Sequence, residues 1–154
     1  MAITINIDIK RDFEVGGDSD AIFDLLADVP ASTAYFPKLK KLVDLGDNCY
    51  RWEMEEVGID KYSIQSIYAC CYQSDKSRGE IRWTPVKGEG NGLVKGCWKI
   101  TDAGNGRSKV SFNTEAELTL PFPRLVKMAI SPVVKHEFNG LVDTYIRNLQ
   151  KAFS

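Results

Sequence analysis

Between residues 39 and 120 the chain alternates apolar and polar side chains, and after residue 120 the period changes. Period two sends successive side chains to opposite faces, so each run reads as a strand with one buried face. "YRWEMEEV" sets Tyr50, Trp52 and Met54 against Arg51, Glu53 and Glu55. "EIRWTPV" carries Ile81 and Trp83 against Arg82. "LVKGCWKITD" sets Val94, Gly96, Trp98 and Ile100 against Lys95, Cys97 and Lys99. "KVSFNTEAELTL" places Val110, Phe112, Thr114, Ala116 and Leu118 on one side and Ser111, Asn113, Glu115 and Glu117 on the other. "LKKLVDLG" and "KYSIQSIYACCYQ" are read as two further strands, the second a long one. Strands of this kind, separated by turn signals such as "GDN" and "SDKSRG", belong to an antiparallel sheet with one wet face.

The rest of the chain completes the inventory. Ile3, Ile5, Ile7 and Ile9 alternate with Thr4, Asn6, Asp8 and Lys10, a strand that Phe13 and Val15 extend. Gly16 and Gly17 break it, and Asp18 or Ser19 caps a short helix striped by Ala21, Ile22, Leu25 and Leu26. Pro30 and Pro37 bracket a second short helical piece. At the far end Val134, Phe138, Leu141, Tyr145 and Leu149 recur at helical spacing. Pro132 is read as the boundary between a short first helix and this long one. The order is strand, two short helices, about six strands and one long helix. The class predicted is α+β, a curved sheet of about seven strands with the long helix across its concave side, in a single domain spanning residues 1–154.

"KGEGNGLVKGCWKI" packs glycines densely enough to raise a phosphate-binding loop. Such a loop needs a helix after it, whose N-terminus holds the phosphate. Here Gly88, Gly90, Gly92 and Gly96 lack the dinucleotide spacing, and a strand follows. Asn91-Gly92 is read as a hairpin dipeptide in which both residues tolerate positive φ, and "AGNGRS" as the same device one strand later. Gly96, inside a strand, marks a bulge or a close approach.

Composition excludes several classes. Lys and Arg number 20 and Asp and Glu 21, so the chain has no electrostatic footprint for nucleic acid. No apolar stretch is long enough to span a membrane, no basic start precedes an apolar run, and a cytoplasmic location is expected. Cys49, Cys70, Cys71 and Cys97 have no CxxC spacing, and the single His136 does not complete a zinc site with them. All four are read as reduced, and adjacent Cys70 and Cys71 point to opposite faces. No metal or cofactor is expected.

With "AIFDLLADVPASTAYFP" in the two-helix corner, "GEIRW" and "GLVKGCWKITDAGNGRSKVSF" in the last strands, and "LPFPRLVKM…VVKHEFNGLVDTYIRNLQKAF" at the close, nearly the whole chain resembles one family. It is the START and birch-pollen-allergen-like (SRPBCC) superfamily with its helix-grip fold, in the bacterial polyketide cyclase/dehydrase and coenzyme Q-binding branch. The resemblance implies a cavity between sheet and last helix. Members hold lipids, sterols, quinones, polyketides or plant hormones there, and a minority cyclise or dehydrate polyketides. No catalytic residue carries over.

The alternation itself names the inward face. Trp52, Met54, Ile64, Ser66, Tyr68, Trp83, Val94, Trp98, Phe112 and Thr114 from the strands, with Phe138, Leu141 and Tyr145 from the helix, are the expected lining. Large aromatic walls with a few hydroxyls suit a small hydrophobic ligand; the competing reading is a solid core. An enzyme would need Ser66, Tyr68, Thr114 or Tyr145 as polar groups in the cavity. His136 and Glu137 are read as surface helix residues, the alternative being an acid–base role at the cavity mouth. Lys38, Lys40 and Lys41 form a basic cluster that, with "PFPRLVKM", suits transient contact with an anionic membrane; the plainer reading is a solvated face. A protein-docking role for the convex face or the two-helix corner is a third function class.

Overall fold

The isoleucine ladder at the start of the chain forms β1 (Ile3–Gly16), with Ile3, Ile5, Ile7 and Ile9 buried and the residues between them exposed. Next come α1 (Ser19–Ala27), α2 (Val29–Thr33), β2 (Leu39–Gly46), β3 (Cys49–Met54), β4 (Val57–Ile59), β5 (Tyr62–Ile64) and β6 (Ile67–Asp75). The chain then runs through β7 (Glu80–Val86), β8 (Gly92–Gly104), β9 (Arg107–Leu120) and α3 (Lys127–Ala152). This computed structural model describes residues 2–59 and 61–153. Seven strands form one antiparallel sheet in the order β1-β9-β8-β7-β6-β3-β2, and β4 and β5 pair as a separate ribbon.

Local chemistry explains the corner between β1 and β2. Asp18 accepts from Ala21 N at 2.8 Å and caps α1. Asp28 ends that helix and caps the next, accepting from Ala31 N at 3.2 Å, with Pro30 in the first turn where no N–H is missed. Ile22, Phe23, Leu26 and Val29 are buried against the sheet. On α3 the stripe Val134, Leu141, Tyr145 and Leu149 is buried, as its spacing predicts. Arg11 of β1 fastens the helix, with Nε 2.7 Å from Asp143 Oδ1 and Nη2 2.8 Å from Asn139 Oδ1.

Four expectations are corrected. The helix runs unbroken through Pro132 instead of starting there. Proline leaves one carbonyl a turn earlier without its partner, and that carbonyl belongs to exposed Met128. The long strand over residues 61–73 is split at Gln65 and Ser66, where Asn91 donates to Gln65 O at 2.7 Å and accepts from Ile67 N at 2.9 Å. Asn91 does that instead of forming a hairpin turn; positive φ falls on Gly88 and Gly90 there, and on Asn105-Gly106 in the next turn.

The fourth correction concerns the thiols. Cys49 and Cys71 lie directly opposite across β3 and β6 and are joined by a disulfide. The two strands are 22 residues apart in sequence at this point, and closing such a loop contributes about 3 kcal/mol by restricting the unfolded chain. Cys70 and Cys97 are free. Adjacent Cys70 and Cys71 do face opposite ways, since Cys70 lines the interior. The bridge removes the support that the cysteines lent to a reducing compartment.

Candidate functional site

α3 does not close fully on the sheet. A cavity of about 80 Å³ remains between them. Trp52, Tyr68, Trp83, Val94, Trp98, Phe112 and Thr114 line it from the strands, and Phe138 and Tyr145 from the helix. The other four expected residues, Met54, Ile64, Ser66 and Leu141, line a smaller neighbouring space of about 30 Å³, which shares Phe138 with the first. The face read from alternation is therefore the inward one, but it is divided in two.

Several lining residues were not on that face list. Cys70 and Tyr72 continue the inward phase of Tyr68, and Ile7, Ile9 and Ala116 do the same on their strands; extending the alternation finds them. Leu26, Val29, Ser32 and Phe36 come from the two-helix corner. No period in the sequence marks them as cavity residues.

The walls are an aromatic network. Trp98 is its hub, with ring centroids 4.7 Å from Phe112, 5.9 Å from Tyr145 and 6.3 Å from both Trp83 and Phe13. Trp52 stacks on Tyr68 at 5.8 Å and meets Phe36 edge-on at 5.4 Å. Gly96 is explained here. A β-carbon at that position would collide with the Trp83 indole and the Asn113 carbonyl, so the close approach comes from a side chain of the wall itself.

Pairing between β7 and β8 stops at Trp83 and Gly96, and Pro85 beyond it has no N–H to donate. Side chains take over in that gap: the Cys70 thiol donates to Val94 O at 3.3 Å and the Thr114 hydroxyl to Lys95 O at 3.1 Å. Trp52 Nε1 donates to the Tyr72 hydroxyl at 3.0 Å. Burial holds the Tyr145 phenol up to about 12 and the Cys70 thiol up to about 12. It pushes Tyr68 and Tyr72 well above the ordinary phenol value as well. All four groups are therefore neutral at physiological pH.

The remaining candidates sit elsewhere. His136 is exposed. Glu137 stands at the rim of the smaller space with its carboxylate 3.0 Å from Lys38 Nζ, a partly exposed pair. Lys40 and Lys41 are exposed on β2. No group of His, Cys, Asp and Glu among the described residues is arranged to hold a metal ion. No described helix is long and apolar enough to cross a membrane.

Comparison with known proteins places the architecture. No protein-family model matches the sequence, and no curated protein matches it. Solved structures do match. A START superfamily protein from Mycobacterium smegmatis superposes with a TM-score of 0.67 at 17% identity, over 95% of this chain and 96% of that one. The chain has the helix-grip fold. Norcoclaurine synthase from Thalictrum flavum shares it at TM-score 0.63 and 16% identity, over 97% of this chain and 87% of that one. An aromatase/cyclase from a Streptomyces species does so at 0.61 and 14%, over 96% and 91%. At these identities the fold is what is shared.

Proposed function

We propose that this chain binds a small hydrophobic molecule in the cavity between the sheet and α3. The observation that carries the reading is an aromatic-walled void of about 80 Å³ at the centre of the core. Close-packed interiors leave few voids larger than a water molecule. The void is about half the roughly 150 Å³ that holds benzene in an engineered core cavity. A lipid, quinone or polyketide-like ligand therefore enters only as the lining swings outward, and half-buried Phe36 and Phe138 have the most room to do so. A binding or transport role is favoured over a cyclase or dehydratase by what the lining offers. It has no Asp, Glu, His, Lys or Arg, and its phenols and thiol keep their protons at neutral pH. Of the four residues an enzyme would use, Ser66 faces the smaller space and the Thr114 hydroxyl is spent on Lys95 O. The test is solvent extraction of the purified protein followed by mass spectrometry. A stoichiometric apolar compound is expected. If nothing is extracted and a neutral fluorescent apolar dye such as Nile red does not bind either, the reading is wrong.

A second reading, transient contact with an anionic membrane, is favoured by one specific feature. Leu125 is 94% exposed and Met128 88%, three residues apart where α3 begins. Arg124 and Lys127 are exposed beside them, and Lys61 lies over the Tyr62 ring that packs on Phe122. Apolar side chains framed by cations suit a surface of acidic lipid. Flotation with vesicles of phosphatidylcholine and phosphatidylserine tests it. Binding should weaken with salt and vanish in the double variant Leu125→Asp, Met128→Asp. Absence of binding, or a dimer that the same substitutions dissolve, would sink the membrane reading.

A further inference from the structure

Most polar side chains around the main cavity are hydrogen-bonded within the protein. The Trp52 indole donates to the Tyr72 hydroxyl, and the Cys70 thiol donates to Val94 O. The Thr114 hydroxyl donates to Lys95 O. Ser32 reaches Val29 O at 3.5 Å and stands near the Tyr145 hydroxyl. Tyr68 differs. Its side chain is only 8% exposed and lines the cavity, yet its hydroxyl has no hydrogen-bond partner among the described residues. Among the described residues no fully enclosed side-chain nitrogen or oxygen is left unpartnered, so this hydroxyl touches the open volume.

Two further features narrow what could meet it. The lining carries no ionisable group that is charged at neutral pH, so a carboxylate or an ammonium would be buried without a counter-charge. The Tyr68 ring stacks against Trp52, with an interplanar angle of 17°, which holds the hydroxyl at a fixed place on the wall. Burial keeps its proton on, so it is available as a donor.

We propose that the cavity takes a neutral, ring-bearing molecule whose carbonyl oxygen accepts a hydrogen bond from Tyr68. This rests on the ligand-binding reading above and adds the chemistry of the ligand to it. A ligand without an acceptor seals the Tyr68 hydroxyl away from any partner, which disfavours it; a ligand with one satisfies that hydroxyl. Aromatic walls supply the remaining contact.

Three probes of similar size separate the claims: acetophenone, ethylbenzene and benzoate, titrated at pH 7 by tryptophan fluorescence into wild-type protein and Tyr68→Phe. One hydrogen bond corresponds to roughly a fivefold change in affinity. Acetophenone should therefore bind Tyr68→Phe about fivefold more weakly than wild type, while ethylbenzene binds both equally. Ethylbenzene binding also reports that the variant has kept its fold and cavity. Benzoate should not bind. Without any variant, the carbonyl stretch of bound acetophenone should fall below its frequency in hexane. If acetophenone binds both proteins equally and its stretch matches hexane, the Tyr68 assignment is overturned while ligand binding stands. If benzoate binds as well as acetophenone, the neutrality requirement is overturned. If no probe binds wild type, the ligand-binding reading fails and the assignment with it.

Discussion

Two apolar regions lie along α3 and meet opposite fates. At Phe138, Leu141 and Tyr145 the helix faces the sheet, and aromatic side chains from five strands close around it. At its N-terminal end and in the turn just before it there is no opposing layer, and Leu125 and Met128 stand in solvent. The residue types do not differ enough to explain this. What differs is whether a second layer covers them. The sheet curls over the middle and end of the helix, while the ribbon meets the segment before it through the Tyr62–Phe122 contact, at 4.6 Å. Apolar side chains under a second layer contribute to folding stability, and those without one are free to bury themselves against something else.

That contrast can be broken at its strongest point first. Trp98→Ala removes the hub of the buried network and should destabilise the protein by about 3–5 kcal/mol, read as a lower urea midpoint. A loss under about 1 kcal/mol would mean that the wall is loosely packed and the cavity much larger than its resting volume. The next test is alkaline titration. Folding raises the Tyr145 pKa to about 12 from an unfolded value of 10. The folded state thus holds the proton more tightly, so this contribution is complete below pH 10 and is lost as pH rises from 10 towards 12. The expected loss is roughly 2–3 kcal/mol, with Tyr68 and Tyr72 acting in the same direction. Urea midpoints at pH 8 and pH 11 should show it, and Tyr145→Phe should flatten the slope. The smallest effect belongs to the tip. Leu125→Asp and Met128→Asp should each change stability by less than about 0.5 kcal/mol, because neither side chain is buried. A larger loss would show that the tip packs on something within the chain.

Much of the architecture was legible because it rests on local period. Alternation assigned the inward residues of the strands, since a side chain's face follows from its parity alone. The helical stripe from Val134 to Leu149 was equally plain. The failures share a cause. Pro132 reads locally as a helix start, but the helix passes through it where the carbonyl that loses its partner belongs to an exposed residue. Asn91 was read as a turn residue, although its side chain is spent clamping Gln65 and Ile67, a contact that exists only once β6 and β8 are side by side. The adjacent Cys70 and Cys71 drew attention to each other, while the partner of Cys71 was fixed by register with a strand 22 residues away.

By itself, then, the sequence determined the element order, the α+β class and the face each strand residue turns inward. Those depend on periods that a few neighbouring residues define. Tertiary structure decided the rest. Packing divided one predicted lining into two spaces and brought Ser32 and Phe36 into the larger one, register joined Cys49 to Cys71, and the Tyr68 hydroxyl was left on the wall without a hydrogen-bond partner among the described residues. Volume, register and hydrogen-bond satisfaction are set by pairs of residues distant in the chain, and no local period encodes which pairs those are.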